Sequence, residues 1–312
     1  MNYEAVIGLE IHAELKTKTK MFCQSRNDPD ELHPNSNICP VCMAHPGTLP
    51  VINRDAVDKV IAVGLALNGT IPEFSQFDRK HYFYPDLPKG YQISQYEHPL
   101  VSGGTLDIGT RRINITRVHL EEDTGRLMHE NTDVSGGPST GSGQRASLVD
   151  YNRAGVPLME LVTEPDFRTG EEVIRFGEEL QKILRYVGAS DADMEKGQMR
   201  VEANISLRPV GEQKFGLNRS EGSLGRTDSL GESVLGTKVE IKNINSFKYA
   251  ADAVDFEIKR QTAVLEAGES VIQETRGWNE HKEESFSQRK KESAHDYRYF
   301  PEPDLPPLVL SR

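Results

Sequence analysis

Alternation of apolar and polar residues along short stretches of this chain predicts β-strands that gather carboxylates, imidazoles and amides on one face. In residues 6–15 (VIGLEIHAEL), period two places Glu10, His12 and Glu14 on one side of a strand. Ile7, Leu9, Ile11 and Leu15 fall on the other side, ready for a core. Residues 200–208 do the same, with Arg200, Glu202, Asn204, Ser206 and Arg208 sharing a face. Residues 117–125 (RVHLEEDTG) form a strand-like run that ends in Glu121, Glu122 and Asp123. Residues 157–162 (PLMELV) set Glu160 among apolar neighbours, where a carboxylate is buried only if it is paired or bound to a cation.

Three helices are predicted by a different period. Asn53 to Asn68 spaces Val57, Ile61 and Leu65 for one face and stops at Asn68-Gly69. Thr169-Gly170-Glu171-Glu172 has the capping-box form. It opens a helix with Val173, Phe176, Leu180, Ile183, Leu184 and Val187 inward and Gly188 at its end. A third helix runs from Ser246 to Ala267, with Val254, Ile258 and Leu265 among its apolar positions and Gly268 as the stop. Helices do not alternate regularly with strands, so the fold class expected is α+β, a mainly antiparallel sheet with packed helices. Segments near 131–144 and 211–236 are rich in Gly, Ser and polar residues and read as surface inserts. No internal repeat is evident.

Composition narrows the class. A chain of 312 residues suits one large or two ordinary domains, and 36% hydrophobic residues describe a polar globular protein. No apolar run approaches the roughly 20 residues of a membrane span. The first residues carry no basic and apolar secretion pattern. Three cysteines, an odd number, argue against a disulfide framework and for a reducing compartment, so a cytoplasmic location is expected. A net charge of −11 argues against an extended nucleic-acid surface but leaves room for local basic patches. Candidates are Lys238 with Lys242, Arg79-Lys80, and Arg289-Lys290-Lys291.

The polar strand faces form a candidate site for a hard cation and phosphate, because Mg²⁺ takes oxygen ligands and carries phosphate with it. The alternative is a solvated edge pair at Glu10 and His12 and an acid run facing water. His81 and His119 are expected to be structural. Residues 231–238 nearly spell a P-loop, but Thr237 and Lys238 are exchanged and a strand follows where a helix is required, so that reading is rejected. Cys39-Pro40-Val41-Cys42, with Cys23 upstream, suits structural zinc with His33 or His45 as a fourth ligand. The same residues also suit ordinary buried thiols.

Longer blocks carry a resemblance. Residues 8–12 (GLEIH), 78–95 (DRKHYFYPDLPKGYQISQ), 119–123 (HLEED), 148–158 (LVDYNRAGVPL), 240–247 (EIKNINSF) and 296–304 (DYRYFPEPD) resemble, in order, the B-subunit family of aspartyl/glutamyl-tRNA(Asn/Gln) amidotransferases. The resemblance implies a glutamine-synthetase-like catalytic cradle domain over 1–312, with the family's C-terminal helical and tail domains absent from this chain. It implies ATP-dependent phosphorylation of the side-chain carboxyl of Glu-tRNA(Gln) or Asp-tRNA(Asn). Ammonia from a glutaminase A subunit would then displace the phosphate, with a small C subunit completing a heterotrimer. The resemblance assigns His12, Glu122 and Glu160 to one Mg²⁺, and Glu10 and Glu121 to a second metal on the nucleotide. Arg200, Asn204 and Lys242 are expected, from alternation alone, to orient phosphates. No Ser or Cys beside an activating base is evident, so ammonia must be made on another chain. One departure concerns zinc, since family members that bind it carry Cys-x-Cys where this chain has Cys23-Gln24-Ser25. A metal-dependent phosphohydrolase and an inactive scaffold for the partner subunits stay open as alternatives.

Overall fold

A computed structural model describes residues 2–28, 30–129, 147–210, 235–290 and 297–310. The expected insert near 131–144 lies outside the described residues, as does all but the last two residues of 211–236. In chain order the elements are β1 (Tyr3–Glu14), α1 (Arg54–Ala66), β2 (Phe74–Ser75), β3 (Asp78–His81), β4 (Tyr91–Ser94), β5 (Val101–Ser102) and β6 (Thr105–Asp107). There follow β7 (Arg112–Glu122), β8 (Arg126–His129), β9 (Ser147–Asp150), β10 (Pro157–Thr163), α2 (Gly170–Tyr186) and β11 (Met199–Pro209). The last are β12 (Val239–Ile244), α3 (Phe247–Glu266), β13 (Glu274–Asn279), β14 (Glu284–Lys290), β15 (Phe300–Pro301) and β16 (Leu308–Val309).

The result is a mixed α/β fold built on a nine-stranded sheet, ordered β14-β13-β12-β11-β1-β10-β7-β5, with β6 also on β7. Its ladders are antiparallel except for β12 with β13. The alternation seen in the sequence decides the two faces. Ile7, Leu9, Ile11 and Ala13 of β1 are buried with Val118, Leu120, Met159, Leu161, Val201, Ala203 and Ile205 from its neighbours. Each Val, Leu, Ile or Met side chain among them contributes about 1.5–3 kcal/mol on burial. The three helices cover this face, which leaves the other free to carry polar groups. A smaller sheet, β15-β3-β4, supplies further residues to the polar side.

Two helices keep their expected faces and one does not. Thr169 caps α2 by accepting from the Glu172 amide, while Glu172 accepts from the Arg168 amide one residue before the cap. Val173, Phe176, Leu180 and Leu184 are buried, and Gly188 ends the helix with φ of +68°. Gly268 closes α3 in the same way, with φ of +77°. In α1 the buried residues are Ala56, Val57, Val60, Val63 and Gly64, whereas Leu65 is 61% exposed. Steps of four residues drift around the helix by roughly 40° each, so a face drawn through 57, 61 and 65 leaves the core. Strand β12 begins directly after Lys238, in keeping with rejection of the P-loop.

Candidate functional site

Four adjacent strands place one residue each in a single cross-strand row. His119 of β7 lies opposite Glu160 of β10, Glu160 opposite His12 of β1, and His12 opposite Arg200 of β11. Side chains in directly opposed positions on one face are near neighbours. His12 Nε2 lies 3.4 Å from Glu160 Oε2 and 3.6 Å from Glu121 Oε1. His119 Nε2 lies 3.3 Å from the same Glu160 oxygen. Ligand atoms of His12, Glu121 and Glu160 all fall within 4.8 Å of one another.

Burial and charge work against each other in this cluster. Burial opposes the charged imidazole of His12, but Glu160, Glu121 and Glu202 outweigh it and push its pKa up to about 9. Burial also opposes the Glu160 carboxylate, yet His119 and His12 hold it well below the usual carboxylate range. Glu121 is raised, first by burial and then by the charge of Glu160. Two buried carboxylates this close need a cation between or beside them.

Glu122 is not in this group, and the correction follows from period two. Successive strand residues point to opposite faces, so Glu121 takes the place expected for Glu122. Glu122 instead accepts from the Ile93 amide at 3.0 Å and from Lys89 Nζ at 2.6 Å on the far side of β7. Glu121 likewise does not join Glu10. A second cluster, with ligand atoms within 4.8 Å, consists of Glu10, Glu202 and Glu240. Lys242 Nζ lies 2.9 Å from Glu202 and 3.3 Å from Glu240, which raises the lysine's pKa against the pull of burial. Asn204 donates to Glu10 at 2.9 Å, while its buried Oδ1 has no partner among the described residues. Lys242 and Asn204 thus lie at the second cluster. Arg200 turns away from it to Asp123 at 3.3 Å, alongside Arg153.

Several residues of the site escaped sequence reasoning. His119, expected to be structural, belongs to the cluster. Lys80 of β3 stands close enough that Glu121, with Tyr299 and Glu160, raises its pKa although burial lowers it. Its ammonium lies 5.1 Å from the centre of the Tyr297 ring. Tyr82 is raised by burial, and burial pushes Tyr299 up to about 12. Glu14, two residues beyond His12, is pushed up to about 8 by burial and by Asp123. The sequence marked Lys80 only as part of the basic pair Arg79-Lys80 and of the resemblance block 78–95, not as a site residue. Its neighbour Arg79 serves structure, gripping Glu302 with two nitrogens at 2.7 and 2.8 Å. His81 is structural as expected, with Nδ1 3.1 Å from the Arg298 carbonyl and its ring on Phe300.

The donor set suits hard cations. Oxygen-rich, partly imidazole sites with buried carboxylates fit Mg²⁺ or Mn²⁺ better than soft metals. The buried Asn204 Oδ1, unpartnered among the described residues, belongs to the side chain whose Nδ2 binds Glu10 of the second cluster.

The cysteines form a separate centre behind β7. Sγ atoms of Cys23, Cys39 and Cys42 lie within 4.8 Å of one another, and neither His33 nor His45 joins the group. His33 turns instead to Glu31, its Nδ1 2.8 Å from the carboxylate. Ser25 Oγ and the fully buried Lys20 Nζ each lie 4.0 Å from Cys42 Sγ. A hydrogen bond with Cys23, with help from Lys20, brings the Cys42 thiol down to about 5, and the same bond pushes Cys23 up. Beside the thiols opens a cavity of about 180 Å³, lined among others by His45, Lys89, Tyr91 and Glu122.

Comparison with known proteins shows the family of the chain. Residues 5–312 match the GatB/GatE catalytic domain. The chain is 50% identical over 315 residues to the aspartyl/glutamyl-tRNA(Asn/Gln) amidotransferase B subunit of Caldanaerobacter subterraneus subsp. tengcongensis, covering 100% of this chain and 59% of that protein. It is 47% identical to the protein of the same name from Synechocystis sp., covering 99% of this chain and 59% of the relative. The protein of the same name from Dehalococcoides mccartyi is 50% identical, with 99% and 58% covered. The chain therefore spans a little under three-fifths of the length of these curated relatives. Among the described residues no helix is long and apolar enough to cross a membrane.

Proposed function

The chain belongs to the GatB/GatE catalytic-domain family, and from that premise we propose that it activates the side-chain carboxyl of a misacylated tRNA with ATP. The substrate is Glu-tRNA(Gln), Asp-tRNA(Asn) or both. A carboxylate oxygen attacks the γ-phosphorus and ADP leaves. Ammonia then attacks the acyl carbon, loses a proton and expels phosphate, so that the amide remains. The observation that carries the proposal is the pair of buried clusters, His12–Glu121–Glu160 and Glu10–Glu202–Glu240, side by side on one sheet face.

Phosphoryl transfer asks a protein for positioning and charge neutralisation rather than covalent help. His12, Glu121 and Glu160 would hold one Mg²⁺, and Glu10, Glu202 and Glu240 a second. Bound there, Mg²⁺ supplies charge neutralisation to phosphate oxygens and orients them. Lys80 adds a half-buried positive charge beside the first cluster, where an anionic acyl phosphate would otherwise meet two carboxylates. Lys242 and Asn204 serve the nucleotide side. His119 fixes the orientation of Glu160 from the strand opposite, as outer partners of metal-binding groups do.

The large antiparallel sheet with acids on one face supports the glutamine-synthetase-like cradle that the resemblance implies. Ammonia would come from a glutaminase A subunit, with a small C subunit in a cytoplasmic heterotrimer. The test is formation of Gln-tRNA(Gln) from Glu-tRNA(Gln), ATP and glutamine by the complete complex. Glutamine-dependent product, with ADP released only when charged tRNA is present, is expected. ATP hydrolysis indifferent to tRNA would overturn the proposal in favour of a phosphohydrolase, and absence of turnover in favour of a scaffold.

A further inference from the structure

We propose that a tyrosine rim beside the first cluster, formed by Tyr82, Tyr96, Tyr297 and Tyr299, receives the unpaired terminal nucleoside of the aminoacylated RNA. The base stacks on the open face of Tyr96, an assignment that presupposes the carboxyl activation proposed above.

A run of rings leads from the site to the surface. The Lys80 ammonium, which feels Glu121 and Glu160, lies 5.1 Å from the centre of the Tyr297 ring. Tyr82 and Tyr299 meet Tyr297 edge-on, with ring centres at 6.2 and 6.1 Å. Tyr96 stacks on Tyr299 at 4.3 Å, with 14° between the ring planes. Tyr299 covers one face of Tyr96, yet the residue is 55% exposed, so its open surface is the outer face and edge.

The backbone holds these rings in place. The buried Asp78 carboxylate accepts from the Tyr96 amide at 2.9 Å, and Asp78 lies two residues before Lys80 on β3. The Tyr297 carbonyl accepts from the His81 amide at 2.8 Å. Arg298, between the two tyrosines, has φ of +44°. A residue with a side chain adopts that left-handed conformation at a cost, and folded chains keep such strain chiefly at functional sites.

In-line transfer selects the occupant. Attacking and leaving oxygens stand on opposite sides of the phosphorus. Glu10, Glu202 and Glu240 place the nucleotide on the β1–β11–β12 side of the first cluster. The rim stands on the other side, beside the β3–β4 hairpin, whose Ser94 donates to Glu121 at the end of β7. The carboxylate therefore enters from the rim. Only the aminoacyl group and a ribose separate that carboxyl from the terminal base, so the base comes to rest among these rings. Unpaired RNA bases are held by stacking on aromatic side chains.

The test uses the complete complex and tRNA(Gln) whose terminal adenine is replaced by 2-aminopurine, a base whose fluorescence falls when it stacks. Binding should quench the fluorescence. Tyr96→Ala should abolish the quenching, and Tyr96→Phe should retain it. With natural Glu-tRNA(Gln), Tyr96→Ala should raise KM for the tRNA by roughly tenfold and leave KM for ATP unchanged. Tyr186→Ala, at a 93% exposed position on the helical side, should alter neither. Quenching equal to wild type in Tyr96→Ala, in a complex that still forms Gln-tRNA(Gln), would overturn the rim and leave carboxyl activation standing. A raised KM for ATP with the tRNA unaffected would also overturn it, assigning the rim to the adenine of the nucleotide. A complex that binds no tRNA would overturn both.

Discussion

Glu160 sits directly opposite His12 across the β1–β10 ladder, its Oε2 3.4 Å from His12 Nε2, and directly opposite His119 across the next ladder. One carboxylate is thus held between two imidazoles by strand register alone. Because the ladder and not a loop sets this geometry, the side chains can be changed one at a time without moving the backbone.

Glu121→Gln and Glu160→Gln should each weaken Mn²⁺ binding by at least roughly tenfold, since each removes a charged ligand from a buried set. Mn²⁺ titration followed by electron paramagnetic resonance measures this, with circular dichroism showing the fold retained. Binding equal to wild type in both variants would remove the metal assignment.

Glu122→Gln should behave in the opposite way. Glu122 and Lys89 are 3% and 12% exposed at the side chain, and the substitution strands the lysine. A loss of stability of about 3 kcal/mol is expected from a broken buried pair, with Mn²⁺ affinity unchanged. Chemical denaturation and the same titration separate the two effects.

This contrast shows what was legible in the sequence. Period two within a strand is local, so the faces of β1 and β11 could be read directly, and with them Glu10, His12, Glu202 and Asn204. The same alternation puts Glu121 on the face of His119, opposite the core residues Val118 and Leu120, so its place was also legible; Glu122 was assigned from the resemblance rather than from the strand pattern. Lys80 was harder, because it arrives from a separate small sheet. Arg200 had the right face, but Asp123 lies just past the end of β7 and draws it aside. The thiol centre was visible as Cys39-x-x-Cys42 with Cys23, whereas the approach of Lys20 was not.

Gly170→Ala should destabilise the helical layer. A Cβ there would meet the Ala251 carbonyl oxygen at 2.6 Å and its Cα at 2.9 Å, and neither backbone atom can swing away. A loss of about 1–3 kcal/mol is expected for such overpacking. Thermal unfolding reports it, and a melting temperature equal to wild type would show that α2 and α3 can separate freely.

Glu4 links β1 to β11 and to the lead into α2 through Arg208 at 2.6 Å and Arg168 at 3.0 Å. Burial opposes its charge, but the two arginines hold it below its ordinary 4.5. A depressed folded-state pKa gives stability that is present above the unfolded value and lost as pH falls through the folded one. Glu4→Gln should therefore lower the melting temperature at neutral pH, and the difference from wild type should shrink as pH drops below about 4.5. A difference constant between pH 7 and pH 3 would show that the pair contributes nothing through its charge.

Phosphorylation of the side-chain carboxyl is read out by a single turnover with γ-³²P-ATP and Glu-tRNA(Gln) in the complete complex, with glutamine and ammonia withheld. The acyl phosphate is trapped by borohydride reduction and the released label counted. ATP should be consumed only when charged tRNA is present, the trapped glutamyl group should be found reduced, and Glu160→Gln should abolish both. Release of inorganic phosphate at one rate with or without charged tRNA, and no reduced glutamyl group, would contradict carboxyl activation by this site.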